Sequence, residues 1–315
     1  MVDNTSEEKT VEKRRSGFSN FWHRLIKEKP LGVAGLVVTI ILLLIGILAD
    51  FLAPYGFNDL SANLLRPPSP EFWMGTDNLG RDVMSRIIYG ARISVIVGLS
   101  ATTFGTFISV TIGLFSGYFG GKFDLLVQRL VDAWMCFPSL VLMMVIMSII
   151  GGGMGSVIII ISLSLGIGGS RIIRGAVISI KENVYVDAAR SIGCSTGRVL
   201  IRHILPNIVG PVIMIYSVRV PEAILREASL SFLGFGVPPP APSWGGMLSG
   251  TGRSYMFVAP WLAVWPGLAL SIVVYGVNMF GDAVRDLMDP RLRGGVGRYG
   301  VNIKKEEIIP DKQAV

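Results

Sequence analysis

The sequence predicts an all-α polytopic membrane protein with six transmembrane helices. Three observations carry that expectation. Apolar residues make up 51% of the 315 and charged residues 16%, against roughly 25% charged in a soluble domain. Mean hydropathy is +0.57. The apolar content is also segregated, since residues 31–49, 93–121, 133–170 and 254–281 contain no Asp, Glu, Lys or Arg. A helix needs about 20 apolar residues to cross a hydrocarbon layer about 30 Å thick, where only a helix or closed barrel satisfies every backbone group.

The tail 1–30 is polar and charged, and is expected to be disordered before Ser16. Phe18, Phe21, Trp22, Leu25 and Ile26 then share one helical face opposite His23, Arg24, Lys27 and Lys29, the pattern of a helix lying in the membrane interface. The opening does not read as a secretory signal: its charged stretch is too long, the next apolar run can span, and no A-x-A-like site follows. The first span is placed at 31–52. Pro54, Pro67, Pro68 and Pro70 make 53–92 an extracytoplasmic loop.

The remaining five spans fall in 93–282. The second lies within 93–121, where the ladder Gly113, Gly117, Gly121 either admits a close neighbour or is merely tolerated. The run 133–170 is twice as long as one span needs, and Gly151–Gly152–Gly153 interrupts it, so two helices joined by a tight turn are expected, the second ending near Arg171 and Arg174. A fifth span runs from about Asn207 to Leu230, a Pro-rich loop follows at 238–242, and the sixth lies within 254–281. Residues 283–315 form a polar tail.

With these spans, one side of the membrane holds 22 of the 29 Lys and Arg residues and the other holds 7. Basic loops stay in the cytoplasm, which puts both termini there and accounts for the net charge of +7 without nucleic acid. Cys136 and Cys194 show no CxxC spacing, and no metal-ligand cluster such as H-E-x-x-H occurs. Metal ligands are therefore not expected, and the thiols read as inert.

The most informative stretch is 182–207. Gly193 can take positive φ and end a first short helix, Ser195 or Thr196 can cap a second, and Pro206 stops or kinks it. Ala188 and Ala189 leave a face of little bulk. This stretch resembles the cytoplasmic loop of bacterial ABC importer permeases, which carries E-A-A-x-x-x-G followed by I-x-L-P. Asp187, Ala188, Ala189 and Gly193 match the first half, and Leu205 and Pro206 the second, with His203 at the Ile position. Residues 75–95, 227–248 and 281–294 look like signatures of the dipeptide, oligopeptide and nickel group, specifically its C-type permease.

The resemblance implies a type I importer permease fold in the cytoplasmic membrane. It implies a homologous but different B-type permease as partner in a heterodimer, two ATPase subunits, and an extracytoplasmic binding protein that delivers peptides. Asp187, Ala188, Ala189, Gly193, His203, Leu205 and Pro206 would form the hairpin that the ATPases move. Nickel or another small solute is the alternative cargo within the group, and no residue of the chain discriminates. An ion-coupled secondary transporter using Glu222 or Glu227 is the rival outside it, disfavoured because no inverted repeat is visible.

No ATP-binding loop is present. The nearest candidate, 116–123, has Ser in place of the first Gly and Phe after Lys122. No enzymatic site and no cofactor are therefore expected in this chain, with ATP and Mg held by the partner ATPases. Gly193–Gly197 fits G-x-S-x-G, but its flanks are helical and His23 and His203 are the only bases on offer.

Charges inside a bilayer mark a pathway or a paired structural site. Arg219, Glu222, Arg226 and Glu227 on the fifth span are read either as a structural pair near an outer gate or as a lining that meets the backbone or termini of a peptide. Asn278 is a weaker lining residue. Asp77, Arg81, Asp82 and Arg86, with Arg92, are placed outside before the second span, where Asp82 and Arg86 could pair at i, i+4 on a solvated helix or dock the binding protein.

Overall fold

The computed structural model describes residues 17–288. Among them every regular element is helical, and the one β-type contact is an isolated bridge between Thr76 and Asp82. Helix α1 spans Gly17–Glu28, α2 Pro30–Ile47, α3 Ala49–Leu52 and α4 Val83–Phe119. Consecutive positive φ angles at Gly120 and Gly121, which glycine reaches without a Cβ penalty, turn the chain into α5, Gly121–Met135, and then α6, Ser139–Ile150. Helix α7 is Met154–Lys181, α8 Val184–Ser191 and α9 Thr196–Arg198. Beyond α9 the helix continues through a π turn, Val199–Ile204, and a 3-10 turn, Leu205–Ile208, into α10, Val209–Phe232. Helices α11, Trp244–Met247, and α12, Arg253–Tyr255, precede α13, Trp261–Met288.

Five helical rods are long and apolar enough to span: α2, α4, α7, Thr196–Phe232 and α13. The span expected in the first half of 133–170 departs from a single membrane-crossing helix. Helix α6 has 12 residues, so it is about 18 Å long and cannot cross alone. Only taken together with α5, from which it bends by 87°, does it reach the length and apolar content of a sixth span. Pro138 supplies the physical reason: it has no N–H to continue α5 and stands immediately before α6.

Other limits also move. Helix α4 starts at Val83, not within 93–121, so Arg86 and Arg92 lie on the span helix itself. Helix α13 begins seven residues later than the apolar run and carries Asp282, Arg285 and Asp286. The glycine turn at 151–153 joins α6 to α7. The tails 1–16 and 289–315, including the end of the 281–294 signature, fall outside the described residues.

Helices α4 and α7 run parallel. A Cβ at Gly105 would sit 3.1 Å from the Ser162 carbonyl oxygen, and one at Gly117 would sit 2.9 Å from Val177 Cβ. Helix α2 packs antiparallel on α13, where a Cβ at Gly35 would come within 2.6 Å of the Phe280 nitrogen. Leu25 of α1 is fully buried against Ala283 and Leu287 of α13, and Lys29 Nζ meets Asp286 Oδ2 at 2.5 Å. The start of the described chain, the end of α13 and the α8–α9 hairpin therefore share one end of the bundle. The 53–82 and 233–260 loops share the other, where Trp244 Nε1 donates to the Ile87 carbonyl at 3.0 Å.

Candidate functional site

Helix α8 shows two faces. Val186 is buried in a cluster with Val199, Leu200 and Ile204 of the second arm, Ile173 and Val177 of α7, Leu114 of α4 and Ile215 of α10, and Ala189 is buried as well. The hairpin is thus packed onto three spans at once. Its other side is open and apolar: Val184, Ile192 and Ile201 are exposed at 84%, 79% and 69%, with Tyr185 and Ala188 beside them. The two alanines therefore divide their work, Ala189 facing inward and Ala188 outward.

Gly193 has φ +85° and ends α8 in a Schellman arrangement. The Cys194 N–H donates to the Ala189 carbonyl at 3.1 Å and the Gly193 N–H to the Arg190 carbonyl at 2.9 Å. Ser195 precedes α9 with extended backbone, but its side chain makes no cap bond. Asp187 is exposed and pairs with Arg190 at 3.4 Å, whose guanidinium lies 5.1 Å from the centre of the Tyr118 ring. Pro206 cannot donate a helical hydrogen bond, and the helix widens just before it, the Leu205 N–H reaching back to the Leu200 carbonyl. His203 and Leu205 are half-buried, Pro206 is exposed, and the His203 carbonyl accepts from Asn207 Nδ2 at 2.6 Å.

Within the bundle, α10 carries a polar seam toward α4 and α7. Arg226 Nη2 lies 2.6 Å from Glu222 Oε1, and Arg226 Nη1 donates to Ser164 Oγ at 2.5 Å. Arg219 Nη1 donates to Ser109 Oγ at 3.1 Å, and that hydroxyl donates to the Gly166 carbonyl at 2.8 Å. Glu227 stands apart from this seam. It is fully buried, Oε1 accepts from Ser231 at 2.7 Å, and Oε2 has no partner. Asn278 is exposed on α13 and bonds only its own helix, at the Val274 carbonyl, so it does not join the group.

At the opposite end, Asp77, Arg81, Asp82 and Arg86 are not the solvated helix expected. Their exposures are 3%, 8%, 3% and 8%. Asp82 and Arg86 do not pair. Asp82 caps α4, accepting from the Ser85 N–H at 2.8 Å and the Ser85 hydroxyl at 2.6 Å, while Arg86 reaches the Phe57 carbonyl at 2.9 Å. Asp77 takes Arg81 Nε at 2.7 Å, with Arg86 Nε at 3.8 Å. The cause is steric and electrostatic: a buried guanidinium needs a carboxylate and carbonyls around it, and the 53–82 loop wraps over the start of α4 to provide them. Arg92 is likewise occupied, by Asp50 of α3 at 2.7 Å. Arg92 and the Tyr89 hydroxyl hold the Asp50 carboxyl below the usual carboxylate range.

Two ion pairs escaped sequence reasoning. Asp124 and Asp132 of α5 pair with Arg174, at 2.5 Å, and Arg171 of α7, strapping the bent half-span to α7 just above the hairpin. Among the described residues, no group of three His, Cys, Asp or Glu is placed to hold a metal.

Comparison with known proteins decides what this arrangement belongs to. Residues 109–294 match the family of the binding-protein-dependent transport system inner membrane component. The chain belongs to that family. Residues 16–68 also match the N-terminal TM domain of oligopeptide transport permease C. The glutathione transport system permease protein GsiD of Escherichia coli O6:K15:H31 is 37% identical over 282 residues, covering 89% of this chain and 92% of the relative. GsiD of Pectobacterium atrosepticum is 37% identical over 281 residues, covering 89% and 93%. The inward-facing MetNI methionine ABC transporter superimposes with a TM-score of 0.53 at 16% identity, over 65% of this chain and 97% of its own, which shows a shared fold. The chain is accordingly a multi-pass inner-membrane permease subunit of an ABC importer, working with ATPase subunits, a binding protein and a partner permease.

Proposed function

We propose that the cargo is peptides and that the α8–α9 hairpin receives the ATPase stroke. The hairpin's open apolar side carries the second part: Val184 and Ile192, between the α7 and Thr196–Phe232 rods, and Ile201, at the start of the latter, stand exposed at one end of the bundle, on a unit whose other side is packed onto α4, α7 and α10. A groove on a neighbouring subunit would cover that surface, and a push there would reach three spans through one apolar cluster. Peptides as cargo follow from the match of 16–68 to an oligopeptide permease domain and from glutathione permeases at 37% identity.

In this reading the hairpin and both termini face the cytoplasm, the partner permease is a homologous but different B-type chain, and ATP and Mg are held by the two ATPases. Closure of the ATPases rocks the spans so that a shared cavity opens outward to accept the peptide, and hydrolysis resets it. The test is purification of the complex in mild detergent, with and without Ile192→Asp and Ile201→Asp. Loss of copurifying ATPases and of ATP-driven peptide uptake in the variants is expected; unaltered ATPase content would remove the hairpin's role.

A further inference from the structure

The polar seam on α10 has an unbalanced member. Glu222 and Arg226 neutralise each other, whereas Arg219 has one side-chain partner, the hydroxyl of Ser109, and no carboxylate of the described residues within ion-pair distance. Its guanidinium fills the space that a side chain at Gly169 would need, so α7 is shaped around it. One turn further along α10, both bonds that Arg226 makes to Glu222 fall on Oε1, which leaves Oε2 open, and the Glu222 side chain is 42% exposed. A charge at that depth is costly against lipid and faces protein or a water-filled cavity. This face of α10 therefore lines the pathway or the partner permease.

Resting on the peptide reading above, we propose that Arg219 and Glu222 form a subsite for a zwitterion, Arg219 taking the carboxylate of the passing peptide and Glu222 Oε2 its ammonium group. The two residues are neighbours at i, i+3, about 4.5 Å apart along the axis. An extended dipeptide sets its termini roughly 7 Å apart, within reach of two long side chains that diverge from that spacing. Among the described residues Arg219 makes a single side-chain hydrogen bond, to Ser109, and a guanidinium can bind a carboxylate with two parallel bonds. Because the contacts are to termini alone, such a subsite accepts peptides of differing side chains.

The experiment uses the complete importer in proteoliposomes and three probes: dialanine, dialanine amide and N-acetyl-dialanine, each at a concentration that saturates the binding protein. Arg219→Gln should lower dialanine uptake roughly tenfold while leaving the amide within about twofold of wild type, and Arg219→Lys should recover part of the loss. Gly169→Ala, which displaces the guanidinium without removing it, should shift the ratio in the same direction. Glu222→Gln should discriminate between free and acetylated amino termini instead. Parallel loss for all three probes, or no loss for any, overturns the subsite. Loss of the partner permease from the Arg219→Gln complex also overturns it, by assigning Arg219 to the subunit contact. A wild-type importer that takes up none of the probes sinks the peptide reading itself, an outcome visible before any variant is compared.

Discussion

The Nε of Arg81 lies 2.7 Å from Oδ2 of Asp77, and both side chains are buried. Asp77 Oδ1 simultaneously accepts the N–H groups of Leu79 and Arg81 at 2.8 and 3.0 Å, so the carboxylate organises the loop backbone as well as the charge. Asp77→Asn should therefore cost roughly 3–5 kcal/mol, the range for a buried pair broken on one side, read as a lower unfolding temperature of the purified protein. Exchanging the two residues should not restore it, because an arginine at 77 cannot accept backbone N–H groups. Full recovery in the exchanged variant would show that the pair acts through charge alone.

At Gly193 the constraint is conformational, since a Cβ there would meet nothing within 4 Å but φ is +85°. An alanine in that region costs roughly 1–2 kcal/mol, and asparagine is tolerated better. Gly193→Asn should keep more ATP-driven uptake than Gly193→Ala despite its larger side chain. Uptake ranked by side-chain size instead would mean that the residue touches a partner directly.

The span count, the turn at 151–153 and the end of α8 were legible because each depends on local chemistry: a run without charge, consecutive glycines, one residue able to take positive φ. The Asp77–Arg81–Arg86 cluster was not. The i, i+4 spacing of Asp82 and Arg86 suggested a pair, but the N-terminus of α4 claims Asp82 as its cap, and the choice among nearby carboxylates is made by loop residues such as Phe57 that lie 29 positions from Arg86. The α5–α7 straps escaped for a similar reason, joining residues 50 and 39 positions apart. On α10, the pairing of Glu222 with Arg226 followed from sequence spacing, whereas the isolation of Arg219 depended on where α4 and α7 pack.

Asp50 gives a pH dependence whose sign is fixed by its surroundings. Arg92 and Tyr89 lower its folded-state pKa, so the pairing contributes above the ordinary carboxylate value near about 3.9 and is lost as pH falls through the lower folded value. Unfolding temperatures of the wild type and Asp50→Asn should differ at neutral pH and converge in acid. A difference that widened on acidification would contradict the Asp50–Arg92 pairing.

The glycine ladder that runs from α4 to the start of α5 separates two physical roles. A Cβ at Gly113 would come within 2.7 Å of Ile173 Cβ and 2.8 Å of the Arg174 nitrogen, whereas one at Gly121 would meet nothing within 4 Å. Gly113→Ala must therefore push α4 and α7 apart at backbone level, at roughly 1–3 kcal/mol by overpacking. Gly121→Ala bears only the strain of φ +55°. Because Ile173 and Val177 also hold Val186 of the hairpin, displacement at Gly113 should disturb coupling as well as stability. The expected result is reduced uptake per ATP hydrolysed in Gly113→Ala and an unchanged ratio in Gly121→Ala, both measured at a temperature where each variant remains folded. Equal ratios in the two variants would show that the α4–α7 contact holds the bundle together without carrying the stroke.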